Sequence, residues 1–382
     1  MGGRSLLEES LRPSDMANDD KKPDVDATPT PKIEGKAPKV AVPGGGPTTA
    51  SVGESRAPDV IPAGLPFERD IQEMERKLAD LEYQAGDDLD ISAEVEALRS
   101  KLRKRLADTY EGLSAWDQVT VARHPDRPVT GDYIREALDD FVELHGDKAY
   151  GDDPAIVTGL GRIGDRRFML VGHRKGRTTK ERLKCNFGCA HPEGYRKALR
   201  KMQLAERMGL PIVTMINTPG AYPGIGAEER GQASAIAENI LRMFEFKVPI
   251  VAYVIGEGGS GGALGIGIAD RVLMLQYSYY SVISPEGCAA ILWKDGSRSP
   301  EAAEALGLTA GILSKIGLID GVVAEPLGGA HRDRPWMIRA MRESIVEQLT
   351  ALDAVPKGDL VSGRRKKFRY LGAIEGRFPV VV

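Results

Sequence analysis

Two stretches in the first third of the chain carry apolar residues at helical spacing. The first series comprises Phe67, Ile71, Met74, Leu78 and Leu81. The second comprises Ile91, Val95, Leu98, Leu102 and Leu106. Spacings of three and four residues place each series on one face of an amphipathic helix. With the polar turn 86–88 between them, residues 65–114 are predicted to form a helical hairpin that serves packing or assembly.

The segment before this hairpin has a different composition. Residues 1–64 are rich in Pro, Gly, Ala, Asp and Lys and show no hydrophobic period. Such a segment buries too little apolar surface to offset the entropy of ordering it, so we predict a disordered extension. A tether or an arm that binds a partner is the functional alternative. At the other end, residues 373–382 are predicted to be a tail.

Residues 115–372 alternate between short apolar, β-branched runs and helical stretches. The predicted strands are 155–163, 167–172, 211–216, 249–255 and 271–284. The predicted helices are 133–144, 192–208, 227–246, 260–269, 302–315 and 335–352, and residues 130–132 are expected to supply an N-cap for the first. This alternation predicts an α/β domain with buried, largely parallel strands. The basic run 363–369 is predicted to be a solvated helix face.

Composition and charge narrow the class of function. The chain has 382 residues, a net charge of −3 and 6% aromatic residues, which argues against nucleic-acid binding. Three cysteines fit a reducing compartment, and no apolar run is long enough for a membrane span. The N-terminus also lacks a signal-peptide pattern. We therefore expect a cytoplasmic protein.

A glycine-rich segment, 256–263, follows the predicted strand 249–255 and precedes a helix of small residues. Backbone N–H groups at such a helix start favour an anion or a developing oxyanion. The spacing Gly256-x-Gly258-x-x-Gly261 also fits a dinucleotide-binding motif. However, the next strand does not end in the acidic residue which that motif expects, so we favour an oxyanion site over a nicotinamide site.

A second segment repeats this strand, turn and helix arrangement. Strand 211–216 leads into a Gly/Pro loop at 217–226 and then into a helix with Glu228 and Glu229 in its first turn. The carboxylates are accounted for by helix capping. Two such units in one domain predict stacked turns.

The residues now resemble a known family, the α subunits of bacterial acetyl-CoA carboxylase carboxyltransferase. The matching stretches are 122–125, 146–150, 172–177, 186–188, 192–198, 218–231, 254–263, 275–293 and 325–332. The resemblance runs from Pro66 to Tyr370. It implies a crotonase-like fold.

The same resemblance implies a reaction and its partners. With a separate zinc-ribbon β subunit, as an α2β2 heterotetramer, the chain would move a carboxyl group from carboxybiotin to acetyl-CoA, giving malonyl-CoA. Carboxybiotin would arrive on the biotin carboxyl carrier protein after biotin carboxylase has charged it. Zinc is expected only in the β subunit, and no cofactor bound covalently to this chain is expected.

The resemblance also implies which residues form the site. The backbone amides of Gly261 and Gly262 would form the oxyanion hole on the biotin side. The residues expected to line the substrate site are Gly258, Gly259, Ser260, Gly220, Ala221, Arg174 and Lys175. The last two begin a basic stretch, 174–184, that would attract CoA phosphates or an acidic carrier protein; a solvated face is the alternative reading.

The sequence offers little other catalytic chemistry. We find no Ser–His–Asp or Cys–His set, and Cys185 and Cys189 lack the second pair of a zinc site. Asn217 stands where this family commonly has Asp, so a hydrogen bond that fixes the loop is expected there. Carboxyl transfer does not require such a set of side chains, because biotin itself can take the methyl proton of acetyl-CoA. A self-sufficient crotonase-type enzyme and a non-catalytic assembly subunit are the competing interpretations.

Overall fold

The computed structural model describes residues 64–85 and 92–372. It contains a mixed β-sheet with helices on both faces. The strands are β1 (Asp140–Glu143), β2 (Ile156–Ile163), β3 (Arg166–His173), β4 (Ile212–Thr218), β5 (Ile250–Gly259), β6 (Arg271–Leu275), β7 (Tyr279–Ser281) and β8 (Gly321–Val323). Their order is β1-β2-β3-β4-β5-β6-β8, and β7 pairs with the end of β5. The first two pairings are antiparallel and the others are parallel, as the buried apolar runs predicted.

The helices before the central strands are α1 (Arg69–Ala85), α2 (Ser92–Glu111), α3 (Ala115–Ala122), α4 (Thr130–Ala137), α5 (Thr179–Lys184) and α6 (Pro192–Met208). Those that follow β4 and β5 are α7 (Ile225–Glu229), α8 (Gln232–Met243) and α9 (Ser260–Leu264). The remainder are α10 (Pro285–Leu292), α11 (Ser299–Leu306), α12 (Ala310–Lys315), α13 (Arg334–Asp353) and α14 (Lys357–Tyr370).

Strand β4 shows how the core is divided between the two faces of the sheet. All seven of its residues are buried, because helices cover both faces. Ile212 and Ile216 pack into the cluster under α6, α8 and α9, whereas Val213 and Met215 pack into the cluster under α4 and α13. Burial on both sides explains why this strand reads as a continuous apolar run.

The two predicted N-terminal helices are present as α1 and α2. Arg99 pairs with Glu82 at 2.7 Å and Arg105 pairs with Asp70 at 2.7 Å, a pattern that requires antiparallel helices. A buried network then ties this pair to the sheet domain: Arg332 Nη2 and the Tyr110 hydroxyl both donate to Glu68 Oε1, at 2.6 and 2.8 Å. The predicted extension at 1–64, apart from Gly64, the turn 86–88 and the tail 373–382 lie outside the described residues.

Several predicted elements were wrong in detail. The helix predicted at 133–144 ends at Ala137, and β1 follows it. Thr130 is not the N-cap; Val129 holds that position, and the Thr130 hydroxyl donates to the His173 carbonyl at 2.6 Å. The strand predicted at 271–284 is two short strands, β6 and β7. The helices predicted at 227–246 and 302–315 each break in two, at Gly231 and Gly307, where φ is positive.

The basic C-terminal run was also misread as wholly solvated. It lies on α14, and Arg364 is buried on the inner face of that helix. Its guanidinium donates to Asp270 and to the carbonyls of Met243, Phe246 and Val248. Lys367 likewise donates to Asp320 at 2.7 Å. Two of the five positive charges in this run therefore hold α14 against the sheet domain.

Candidate functional site: two stacked turns beside β5

The ends of β4 and β5 bring two turns into direct contact. The strands run parallel and side by side, and a register shift after Ile216 pairs Thr218 with Gly258. A Cβ atom placed on Gly259 would lie 2.1 Å from the Pro219 carbonyl oxygen. A Cβ atom on Gly262 would lie 2.5 Å from the backbone nitrogen of Ala221. Only glycine permits these backbones to approach so closely, and the predicted stacking is confirmed.

The junction between β5 and α9 is sharper than the sequence suggested. Residues 256–259 continue β5 instead of forming a turn, and α9 starts at the next residue. The change of direction falls on Ser260, whose φ of +53° is in the left-handed region. A non-glycine residue is strained there, and such strain is common at functional sites. Ser260 is exposed, Gly261 is partly exposed and Gly262 is buried.

The backbone of α9 fixes the direction of the two amides of interest. The Gly265 N–H donates to the Gly261 carbonyl at 2.9 Å, which points that carbonyl along the helix. In a trans peptide the N–H of the next residue points the opposite way, so the Gly262 N–H faces the start of α9. The N–H groups in the first turn of a helix have no partner within the helix. The amides of Gly261 and Gly262 lie in this first turn and so have no partner within α9.

The next peptide of α9, between Gly262 and Ala263, is anchored in the core. The buried Tyr195 hydroxyl donates to the Gly262 carbonyl at 3.3 Å. Burial raises the pKa of Tyr195, which keeps this hydroxyl protonated as a donor. His173 lies buried beside the backbone of Gly262 and Met215, and burial lowers its pKa to about 3. The neutral His173 side chain and the Tyr195 hydroxyl thus contact α9 on its buried side.

Glu257, within the glycine-rich segment, is the centre of a charge cluster that the sequence analysis missed. Arg123 Nε donates to Glu257 Oε1 at 2.7 Å, and the Tyr279 hydroxyl donates to the same oxygen at 2.8 Å. Lys175 contacts the other carboxylate oxygen, and Arg123 also pairs with Glu286 at 2.5 Å. The only signal in the sequence was a carboxylate among glycines; its partner Arg123 lies far away along the chain.

This cluster makes Glu257 unsuitable as a general base. Its side chain is 5% exposed, and two cations and a hydroxyl occupy its oxygens. Its backbone N–H donates to Asn217 Oδ1 at 3.2 Å, which is the loop-fixing hydrogen bond expected of Asn217. The cluster therefore holds the end of β5 in place.

The basic residues predicted to bind substrate lie beside this cluster. Lys175 contacts Glu257, as described, and Arg174 Nη2 donates to both Glu143 carboxylate oxygens at 2.9 Å. Gly220 has open space around its Cβ position, and the Ala221 backbone contacts Gly262. The stacked turns thus unite Gly258, Gly259, Ser260, Gly261, Gly262, Gly220 and Ala221, while Arg174 pairs with Glu143 on β1.

The described residues offer no set of three side chains that could hold a metal ion. Cys185 and Cys189 are free thiols on either side of a short 3-10 turn. The rings of His124 and His331 stack at 4.0 Å, and burial lowers the pKa of His331 to about 2. No helix within 64–85 and 92–372 is long and apolar enough to cross a membrane.

Comparison with known proteins decides the family. A family model described as acetyl co-enzyme A carboxylase carboxyltransferase-like matches residues 64–372. The chain belongs to this family. A relative from Xanthomonas campestris, an acetyl-coenzyme A carboxylase carboxyl transferase subunit alpha, is 54% identical over 316 residues, covering 82% of this chain and 99% of the relative. The protein of the same name from Xylella fastidiosa is 55% identical over 315 residues, with the same coverage of both chains.

A further relative has the same name, and one solved structure is similar over part of the chain. The subunit alpha of Rhodopirellula baltica is 52% identical over 309 residues, covering 81% of this chain and 97% of that protein. Among solved structures, transcarboxylase 12S is 20% identical with a TM-score of 0.49, over 59% of this chain and 41% of that one. The mixed sheet and its flanking helices confirm the predicted α/β architecture, in which β4 with α7 and β5 with α9 are the strand–turn–helix units.

Proposed function

We propose that this chain, paired with a carboxyltransferase β subunit, transfers the carboxyl group of carboxybiotin to acetyl-CoA and so forms malonyl-CoA. Its relatives carry the corresponding name, and the chain covers almost all of their length. The observation that carries the proposal is the pair of stacked turns, beside which α9 begins. The amides of Gly261 and Gly262 lie in the first turn of α9 and have no partner within that helix.

The proposed role of Gly261 and Gly262 is electrostatic. Carboxybiotin would supply the carboxyl group, delivered by its carrier protein. The two N–H groups would donate to the oxygen that gains negative charge as the carboxyl group departs. Preorganised donors of this kind need no rearrangement during the reaction, and the contacts of Tyr195 and Pro219 keep α9 rigid against β5.

The remaining site residues would position the substrates. Ser260 is exposed at the junction, and Gly258, Gly259, Gly220 and Ala221 shape the surface around it. Arg174 and Lys175 lie to one side, where they would attract anionic groups of the substrates or of the carrier protein. The proposal assigns the role of base to no side chain of this chain, because Arg123, Lys175 and the Tyr279 hydroxyl occupy the carboxylate oxygens of Glu257.

The proposed assembly is an α2β2 heterotetramer that works with the carrier protein and biotin carboxylase in the cytoplasm. The thioester pocket and the zinc site would belong largely to the β subunit. In this assembly the stacked turns would supply the biotin side of the active site, and the β subunit would supply the thioester side.

A reconstitution experiment tests the proposal. The full chain is purified alone and together with a zinc-ribbon β subunit, and malonyl-CoA formation from acetyl-CoA and carboxybiotin is measured. We expect turnover only when both chains are present. Turnover by this chain alone would instead identify a self-sufficient crotonase-type enzyme, and no turnover in the complex would leave an assembly role.

A further inference from the structure

A small cavity with an unusual charge lies next to the Glu257 cluster. It has a volume of about 80 Å³, and Asn217 forms part of its wall. Its charged lining residues are Arg123, Arg127, Lys175 and Arg182, and no carboxylate lines it. Arg127 is buried and the other three are partly exposed, and positive charges this close together repel one another unless anions balance them. The four cations therefore require negative charges nearby.

Three carboxylates account for three of the four cations. Arg127 forms a two-pronged pair with Glu325, at 2.8 and 2.6 Å. Arg123 and Lys175 share Glu257, and Arg123 also pairs with Glu286. The side chain of Arg182 is partly exposed and has no ion pair or hydrogen bond to any residue within 64–85 and 92–372. One positive charge at the cavity is left without a protein partner.

The wall beside Arg182 is built in a strained conformation. Asn186, Phe187 and Gly188 have consecutive φ values of +47°, +55° and +88°. The Phe187 ring lines the cavity and is 47% exposed, and Gly188 packs against the Asn217 carbonyl at the end of β4. Consecutive residues in the left-handed region persist only where the surroundings impose them, which is typical of ligand clamps.

We propose that this cavity binds a small oxyanion, a carboxylate or bicarbonate, with Arg182 as its principal charged donor. A cavity of about 80 Å³ is far below the roughly 300–1,000 Å³ of pockets for larger ligands and suits a small group such as a carboxylate. Arginine donates two parallel hydrogen bonds to a planar carboxylate, which a lysine cannot do. One net positive charge matches one monoanion.

Two sources could supply this group, a free anion or the carboxyl end of a reaction participant. The second source rests on the proposed function, since malonyl-CoA carries a carboxylate that acetyl-CoA lacks. Both sources present the same chemistry to Arg182.

Thermal unfolding of the complete complex with its β subunit tests the site itself. The midpoint is measured in acetate or bicarbonate against chloride at equal ionic strength and pH. We expect a saturable rise in the wild type. Arg182→Ala should weaken apparent anion affinity about tenfold or more, because a charged hydrogen bond is lost, and Arg182→Lys should retain part of the response. Arg200→Ala, which removes an exposed arginine from α6, is the matched control.

A response no larger than that to chloride, or a full response in Arg182→Ala, would overturn the proposal. Kinetics of the same variants then identify the source. A higher KM for malonyl-CoA with an unchanged KM for acetyl-CoA indicates the reaction's own carboxylate, and two unchanged values indicate a free anion. If the wild-type complex transfers no carboxyl group, the proposed function fails while the anion titration still decides the site.

Discussion

The contact between the stacked turns makes a sharp prediction for two adjacent glycines. A Cβ on Gly262 would lie 2.5 Å from the backbone of Gly220 and Ala221, so one of the two turns must move by roughly 1 Å to restore ordinary contact. A Cβ on Gly261 would meet nothing closer than Ile236 Cδ1 at 3.8 Å. Gly262→Ala should therefore cost about 1–3 kcal/mol through overpacking. Gly261→Ala should gain about 0.5–1 kcal/mol, because alanine restricts the unfolded chain.

Differential scanning calorimetry of the two variants measures this contrast. At roughly 2 °C per kcal/mol for a domain of this size, the midpoints should separate by about 3–8 °C, with Gly262→Ala below the wild type and Gly261→Ala at or above it. Two variants of equal stability would show that the turns are not in contact as described. Gly209→Ala serves as the reference for strain alone, since its φ is +68° and nothing lies near its Cβ position.

Three further predictions concern the supports of the site. Ser260→Gly should raise the unfolding midpoint by removing the strain at φ +53°, a gain of up to about 1 kcal/mol, whereas Ser260→Ala, which keeps that strain, should not. Arg123→Met should lower the free energy of unfolding by about 2–4 kcal/mol, because it leaves Glu257 with fewer cations. Adding Glu257→Gln should recover part of that loss, and strictly additive effects in the double variant would refute the coupling. His173 has a folded-state pKa of about 3, so the unfolded state binds a proton at this residue first as the pH falls below about 6.5. The free energy of unfolding should therefore decline by up to about 1.4 kcal/mol per pH unit because of this residue. His173→Gln should flatten the pH dependence of the unfolding free energy, measured with denaturant between pH 7 and 5, and an unchanged slope would reject the assignment.

Local signals in the sequence predicted the central elements well. Helix α6 was predicted at its observed bounds, because Pro192 stands at its first turn and Gly209 ends it at φ +68°. The glycine segments also predicted stacked turns, since close backbone approach leaves a direct trace in composition. These features depend on residues that are neighbours in sequence.

The missed features depend on contacts between distant parts of the chain. Glu257 meets Arg123 across 134 positions, and Arg364 finds the carbonyl groups of three residues more than 100 positions away. The 133–144 segment was misread because β1 is only four residues long and half exposed, and its pairing with β2 outweighs helical spacing. A burial pattern set by tertiary pairing cannot be read from periodicity alone.

The most direct test of the account is Gly261→Val in the reconstituted complex with its β subunit. The open space at this position leaves the fold intact, while the branched side chain obstructs the start of α9. Loss of an oxyanion donor lowers kcat by about 100- to 1,000-fold. We therefore expect malonyl-CoA formation to fall by at least about 100-fold, with the unfolding midpoint and subunit pairing of the wild type. Turnover close to the wild-type rate would contradict the role assigned to Gly261 and Gly262.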